Sequence, residues 1–200
     1  MKELDQKPCK PITWVFARAS TELGNMGASV GTLIAIQLNQ TYGQANVAIQ
    51  GVDYEAGITG NIGGVGCSNK GVSESTRLLN LAHSKCPKSV VLVGAYSQGT
   101  ACMHAAIPKL AQPVRDQIAA AVMFGDTKNT QEKGRIRGLK DDQFKIYCNK
   151  NDGVCGGGLN VNAGHFAYAP FIPEVVTYLK GAVTKAGYKA GAAPAAGGEE

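Results

Sequence analysis

The run from Val90 to Gly99, Val-Val-Leu-Val-Gly-Ala-Tyr-Ser-Gln-Gly, constrains the fold more than any other stretch. Four apolar residues, three of them β-branched, predict a short buried strand. Small residues and Ser97 follow, and the chain from Thr100 to Leu110 suits a helix. A serine on a sharp strand-to-helix turn is a nucleophile elbow, where the backbone is strained and only small neighbours fit. The usual first glycine of that pattern is Ala95 here. Alone the match is weak, because a plain serine in a tight turn reads the same way.

A strand feeding a helix suggests a repeating βα plan, and the rest of the chain supplies one. Residues 12–17, 47–52, 118–124 and 144–148 read as further strands. Val30, Leu33, Ile34 and Leu38 fall on one helical face, predicting a helix over 30–42. Ser73 suits the N-cap of a second helix running to 84, and Pro173 the first turn of a third running to 186. The helix after Ser97 is expected to end near Pro113. Residues 1–11 read as a polar lead-in, and 53–71 and 149–164 as long glycine-rich loops. Strands alternating with helices predict an α/β class with a parallel sheet and helices on both faces. The 200 residues fit one domain, expected over 1–187, with an Ala/Gly/Pro-rich tail over 188–200.

The net charge of +5 is scattered, and its one cluster, Arg135, Arg137 and Lys140, has no interleaved aromatics. That excludes nucleic acid as a partner. No run approaches about 18 apolar residues, so no membrane span is expected. Residues 1–8 are polar and unlike a signal peptide, so the chain reads as a mature form behind Met1. Six cysteines suit a secreted protein with three bridges, and Asn39-Gln40-Thr41 is a glycosylation sequon. No cysteines stand at Cys-x-x-Cys spacing with a histidine nearby, so no metal is expected. Gly156-Gly157-Gly158 lacks the Lys-Ser/Thr of a phosphate loop.

If Ser97 is a nucleophile it needs a base, and the base an acid to orient it. His83 and His104 fall in predicted helices, but His165 lies in a loop beyond the last strand. Such loops are where parallel sheets carry their sites. Asp152 lies thirteen residues earlier, also in a loop. Ser97, Asp152, His165 is the chain order of elbow hydrolases. The alternative is a surface Asp-Gly turn and a hydrogen-bonded loop histidine. The oxyanion of acyl transfer needs donors already in place. The Gln98 N–H is one, and Ser20, just past the first strand, is a second unless it merely stabilises a turn.

Several segments together resemble the fungal cutinases, within the cutinase and acetylxylan esterase group of serine esterases. They are Ala17-Arg18-Ala19-Ser20-Thr21-Glu22, Gly94 to Gly99, Phe124 to Asn129 with Gly134-Arg135-Ile136, Cys148 to Cys155, and Gly164-His165-Phe166-Ala167-Tyr168. They run in order over about residues 9 to 180. Ala95 and Ala19 stand where that family commonly has glycine. The resemblance implies a single-domain, three-layer α/β-hydrolase with a central, mainly parallel five-stranded sheet and no large lid. It implies catalysis by Ser97, Asp152 and His165, an oxyanion hole of Ser20 and Gln98, and Asn61 orienting Ser20. It also implies apolar cleft lips at Ile58, Leu159 and Val161, with no cofactor.

Cys148 and Cys155 bracket the Asp152 loop and are expected to pair. Cys9 precedes Ser20 by the same eleven residues that separate Cys86 from Ser97, as expected of neighbouring parallel strands. Cys67 and Cys102 remain as the third pair. The resulting expectation is a secreted, monomeric serine esterase acting on cutin-like aliphatic polyesters and short acyl esters. The rivals are an acetylxylan esterase with a narrower acyl pocket, and a non-catalytic plant-surface-binding or elicitor protein.

Overall fold

The computed structural model describes residues 1–188, so the expected tail over 188–200 lies outside the described residues apart from Tyr188. Five strands, β1 (Ile12–Ala17), β2 (Val47–Gly51), β3 (Val90–Tyr96), β4 (Ile118–Phe124) and β5 (Phe144–Tyr147), form one sheet in the order β2-β1-β3-β4-β5. Every neighbouring pair is parallel. Parallel neighbours demand crossovers, which the helices provide. On one face α2 (Val30–Tyr42) and α6 (Ile172–Lys185) set Ile34, Leu38, Val175 and Leu179 against Trp14, Phe16, Leu92 and Phe124. On the other lie α1 (Glu3–Gln6), α3 (Asn69–Lys85), α4 (Gln98–Ala106) and α5 (Gln112–Gln117). There Leu78, Leu79, Met103 and Val114 share a core with Val15, Val91, Val93 and Met123. With both faces covered, the central strands are apolar throughout instead of alternating.

Three boundaries differ from the sequence reading. The cap of α3 is Ser68, whose Oγ accepts from the Gly71 N–H at 3.1 Å, and not Ser73. The polar lead-in contains α1, which buries Leu4, and Lys2 makes an antiparallel bridge to Gln50. Pro113 does not end the helix after Ser97. That helix stops at Ala106, a 3-10 turn spans Ile107–Lys109, and Pro113 lies in the first turn of α5. A proline is tolerated there because its missing N–H would have had no helical partner.

The register of β1 on β3 runs from Ile12↔Val90 to Ala17↔Ala95, so Ser20 and Ser97 leave the sheet at the same edge. The opposite end of these strands is tied by the Cys9–Cys86 disulfide. Cys67–Cys102 joins the approach to α3 to α4, and Cys148–Cys155 closes the loop beyond β5. No helix among the described residues is long and apolar enough to cross a membrane.

Candidate active site

Ser97 separates β3 from α4 with φ 53° and ψ −123°. A non-glycine residue in that region carries about 1–3 kcal/mol of strain, so the surroundings must enforce it. The Ser97 N–H donates to the Phe124 carbonyl at 3.0 Å, and the Thr100 hydroxyl donates to the Ser97 carbonyl at 2.6 Å. Gly99 admits the close approach of α4 to β1, since a Cβ there would run into the Ala17 carbonyl. Ala95 is tolerated because its methyl joins the core on the α3 and α4 side.

His165 lies in a 3-10 turn, Ala163–Phe166, beyond the β5 loop. The Asn162 side chain accepts from its N–H, and the Tyr96 hydroxyl donates to its carbonyl at 2.6 Å. This fixes the ring with Nε2 2.9 Å from Ser97 Oγ and Nδ1 2.9 Å from Asp152 Oδ2. The structure therefore brings together Ser97, Asp152 and His165, all three buried. Burial pushes the Asp152 carboxyl up. Hydrogen bonds from Tyr168, His165 and the Val154 N–H outweigh it and hold the group below the usual carboxylate range. The Cys148–Cys155 bridge brackets this loop.

Ser20 lies in the first loop, in the same cleft as Ser97. Its Oγ accepts from the Asn61 side-chain amide at 2.9 Å, and that amide also donates to the Ile58 carbonyl at 3.0 Å. The loop is shaped by Glu22, whose carboxylate accepts from the Ala19 N–H, the Ser29 N–H and the Ser29 hydroxyl. Gln98 opens α4, so its N–H has no helical acceptor and is free for a ligand. Its side chain donates to the Gly57 carbonyl at 2.9 Å, tying the nucleophile turn to the 58–61 turn that carries Asn61.

The cleft has a volume of about 680 Å³ and is lined by Ile58, Leu159 and Val161, joined by Ile62 and Phe166. All five are exposed, Ile62 at 75% and Phe166 at 71%, so the rim presents apolar surface to water. Among the described residues no group of three or more His, Cys, Asp or Glu could hold a metal ion.

Sequence reasoning missed four contributors. Ile62 reads as an isolated apolar residue in a polar loop, and Phe166 as a neighbour of His165. Tyr168 and Glu22 carry no periodic signal. The clue to Tyr168 is chemical, since a buried carboxylate needs more than one donor. His83 is bonded to Gln117. His104 is no ordinary helix residue: it is buried, with Nε2 2.9 Å from the buried Asp126 carboxylate.

The family described as Cutinase matches residues 8–183. Cutinase 3 of Emericella nidulans is 38% identical over 184 residues, covering 91% of this chain and 83% of that protein. Cutinase 1 of Fusarium vanettenii is 42% identical over 164 residues, covering 81% of this chain and 71% of that one. Among solved structures, a Trichoderma reesei cutinase in complex with a C11Y4 phosphonate inhibitor superposes with a TM-score of 0.77 at 25% identity, over 88% of this chain and 78% of that chain. An acetylxylan esterase shares the fold, with a TM-score of 0.70 at 18% identity over 88% of this chain and 100% of that one.

Proposed function

The chain belongs to the cutinase family and is a serine ester hydrolase, and on that premise we propose that Ser97, His165 and Asp152 hydrolyse aliphatic polyester of the cutin type. The observation that carries this reading is the unbroken line from Ser97 Oγ through the His165 ring to Asp152 Oδ2, with 2.9 Å at each step. His165 Nε2 takes the Ser97 proton as Oγ attacks the ester carbonyl. Asp152 stays ionised, keeps Nδ1 protonated and stabilises the imidazolium. The carbonyl oxygen, now negative, is held by the Gln98 N–H and by Ser20, with Asn61 keeping the serine in position. The same imidazolium protonates the departing alcohol. Water, activated by His165, then clears the acyl-enzyme. Each oxyanion donor is worth about 3 kcal/mol of transition-state stabilisation.

Ile58, Ile62, Leu159, Val161 and Phe166 would receive the methylene chain, and their exposure suits a segment of insoluble polymer reaching Ser97 without a lid to open. A cleft of this size and apolarity favours long acyl groups over the acetyl group of an acetylxylan esterase. The three disulfides support an oxidising, extracellular setting. One catalytic unit over residues 1–187 supplies every site residue, so a monomer suffices.

The deciding experiment is Ser97→Ala assayed on p-nitrophenyl butyrate and on a polyester film. We expect a loss of about 10⁴-fold or more in kcat with an unchanged melting temperature. Turnover surviving in the variant overturns the assignment. A strict preference for acetyl over butyryl and hexanoyl esters in the wild type would instead favour the acetylxylan reading. Binding to plant surface that persists with no esterase activity in the wild type would favour the elicitor reading.

A further inference from the structure

Proton transfer among Ser97, His165 and Asp152 makes no direct use of Tyr168, yet its phenol touches the carboxylate at the base of the relay. The Tyr168 hydroxyl donates to Asp152 Oδ2 at 2.6 Å, the same oxygen that lies 2.9 Å from His165 Nδ1. The other carboxylate oxygen accepts the Val154 N–H at 2.8 Å. The phenol oxygen itself accepts the Asn149 N–H at 3.0 Å. A hydroxyl that accepts one hydrogen bond becomes a stronger donor of another. A continuous chain therefore runs from the Asn149 amide through Tyr168, Asp152 and His165 to Ser97.

Packing does not require this hydroxyl. The Tyr168 ring lies edge-on to Tyr96 and Phe124, with centroids 5.8 Å and 5.7 Å away, and 5.9 Å from Phe171. A phenylalanine would fill the same space. The polar atom needs its two partners because it is buried, and the Asp152 side chain, at 0% exposure, needs its donors to remain ionised.

We propose that Tyr168 is a positioning residue for ester hydrolysis: by sharing Asp152 Oδ2 with His165, it keeps that carboxylate ionised and sets how basic the imidazole is. The proposal rests on the assignment of Ser97, His165 and Asp152 as the triad. No proton leaves Tyr168. Burial and the adjacent carboxylate push its phenol up, so it donates without ionising. Two donors divide the charge of one oxygen. Tyr168 therefore limits how far Asp152 stabilises the imidazolium that forms as Ser97 gives up its proton. Lys150, in the Asp152 loop, is exposed, and the nearby buried and half-buried ionisable groups are engaged with other partners. Tyr96 of β3 donates to the His165 carbonyl, Tyr147 of β5 donates to Glu174 of α6, and Glu22 of the first loop accepts from Ala19 and Ser29. Asp126, beyond β4, accepts from the Lys128 N–H and is bonded to His104 of α4.

The test is the pH profile of kcat/KM and kcat on p-nitrophenyl butyrate for wild type, Tyr168→Phe and Ser97→Ala. Removing the phenol should move the acid limb up by about 0.5–1 pH unit, a three- to tenfold loss below the limb. If Tyr168→Phe lowers the plateau or the melting temperature but leaves the limb in place, the role is structural and the proposal fails. A second variant carries 3-fluorotyrosine at 168, which keeps the shape and the hydroxyl and donates more strongly. Its limb should move down by about 0.2 unit. This variant decides alone if Tyr168→Phe does not fold, and an unmoved or raised limb overturns the proposal. Full activity in Ser97→Ala would bring down the triad itself. An inactive Ser97→Ala with unmoved limbs in both Tyr168 variants would bring down only the role of the phenol.

Discussion

Replacing Gly125 by alanine tests whether the site is held rigidly. Gly125 follows β4 with φ +51°, and a Cβ there would stand 2.7 Å from His165 Cε1 and 2.9 Å from both His165 Nδ1 and Asp152 Oδ2. Ordinary van der Waals contact begins at 3.4 Å, so in a close-packed interior the ring must retreat by about 0.7 Å. It has little freedom to do so, because both ring nitrogens and the backbone carbonyl are bonded. A misplacement of about 1 Å costs about 10²-fold in rate, so Gly125→Ala should lower kcat about 30- to 100-fold on p-nitrophenyl butyrate. The left-handed alanine adds about 1–2 kcal/mol of strain. At about 2–4 °C per kcal/mol for a chain of this size, the melting temperature should fall by only about 2–8 °C. Gly181→Ala, inside α6 with nothing within 4 Å of the new methyl, is the matched control and should leave activity unchanged. Wild-type kcat in Gly125→Ala would mean that the loops relax freely around the imidazole, and the argument from fixed geometry would fail.

Two further outcomes follow from the rim and the buried carboxylate. Ile62→Ser with Phe166→Ser removes two exposed contacts, each worth about 1 kcal/mol when half-covered by polymer. Weight loss of a polyester film should fall roughly tenfold or more while hydrolysis of soluble butyrate changes little, and equal losses on both substrates would refute the docking role. Asp152 titrates lower in the folded state than the unfolded value of about 3.9, so its stabilisation is fully present above that pH and is lost as pH falls through the folded pKa. The difference in urea midpoint between wild type and Asp152→Asn should therefore be widest above about pH 4 and narrow below it. A difference that stays constant into acid would show that the charge contributes nothing.

The five strands, their parallel class and the site edge were legible because the central strands are covered on both faces and so are continuously apolar, as Val90–Val93 is, whereas the full strand order came only from the fold. Ser97 stood out because a turn that sharp tolerates few side chains. The start of α3 was obscured by Gly71 in its first turn, which looks like loop composition, although Ser68 makes the capping bond. Pro113 misled for a related reason. A proline near a helix end has two readings, stop or start, and only the bend after Ala106 selects the second. Tyr168 and Glu22 act through side-chain hydrogen bonds that follow no periodicity and so leave no pattern in a linear sequence. The rim was half legible. Ile58, Leu159 and Val161 came from the resemblance, whereas Ile62 and Phe166 emerge only once the loops are placed around one cleft.

Strain and restraint lie at opposite ends of the same strands. At the C-terminal edge Ser97 holds a disfavoured backbone, His165 is buried, and Asp152 is a buried charge. The strain at Ser97 opposes folding and is needed for the proposed chemistry, whereas the hydrogen bonds to Asp152 outweigh the burial of its charge. At the other end the Cys9–Cys86 bridge closes a loop of 77 residues just before β1 and β3 begin, and a closure of that size contributes about 4 kcal/mol in the chain-entropy account. That is of the same order as, or larger than, the roughly 1–3 kcal/mol of backbone strain at Ser97. Because the bridge touches no site residue, it can offset the instability of the site without altering the geometry there. The pairing of β1 with β3 then carries the restraint across the sheet, from Ile12 and Val90 at the tied end to Ala17 and Ala95 beside the two serines.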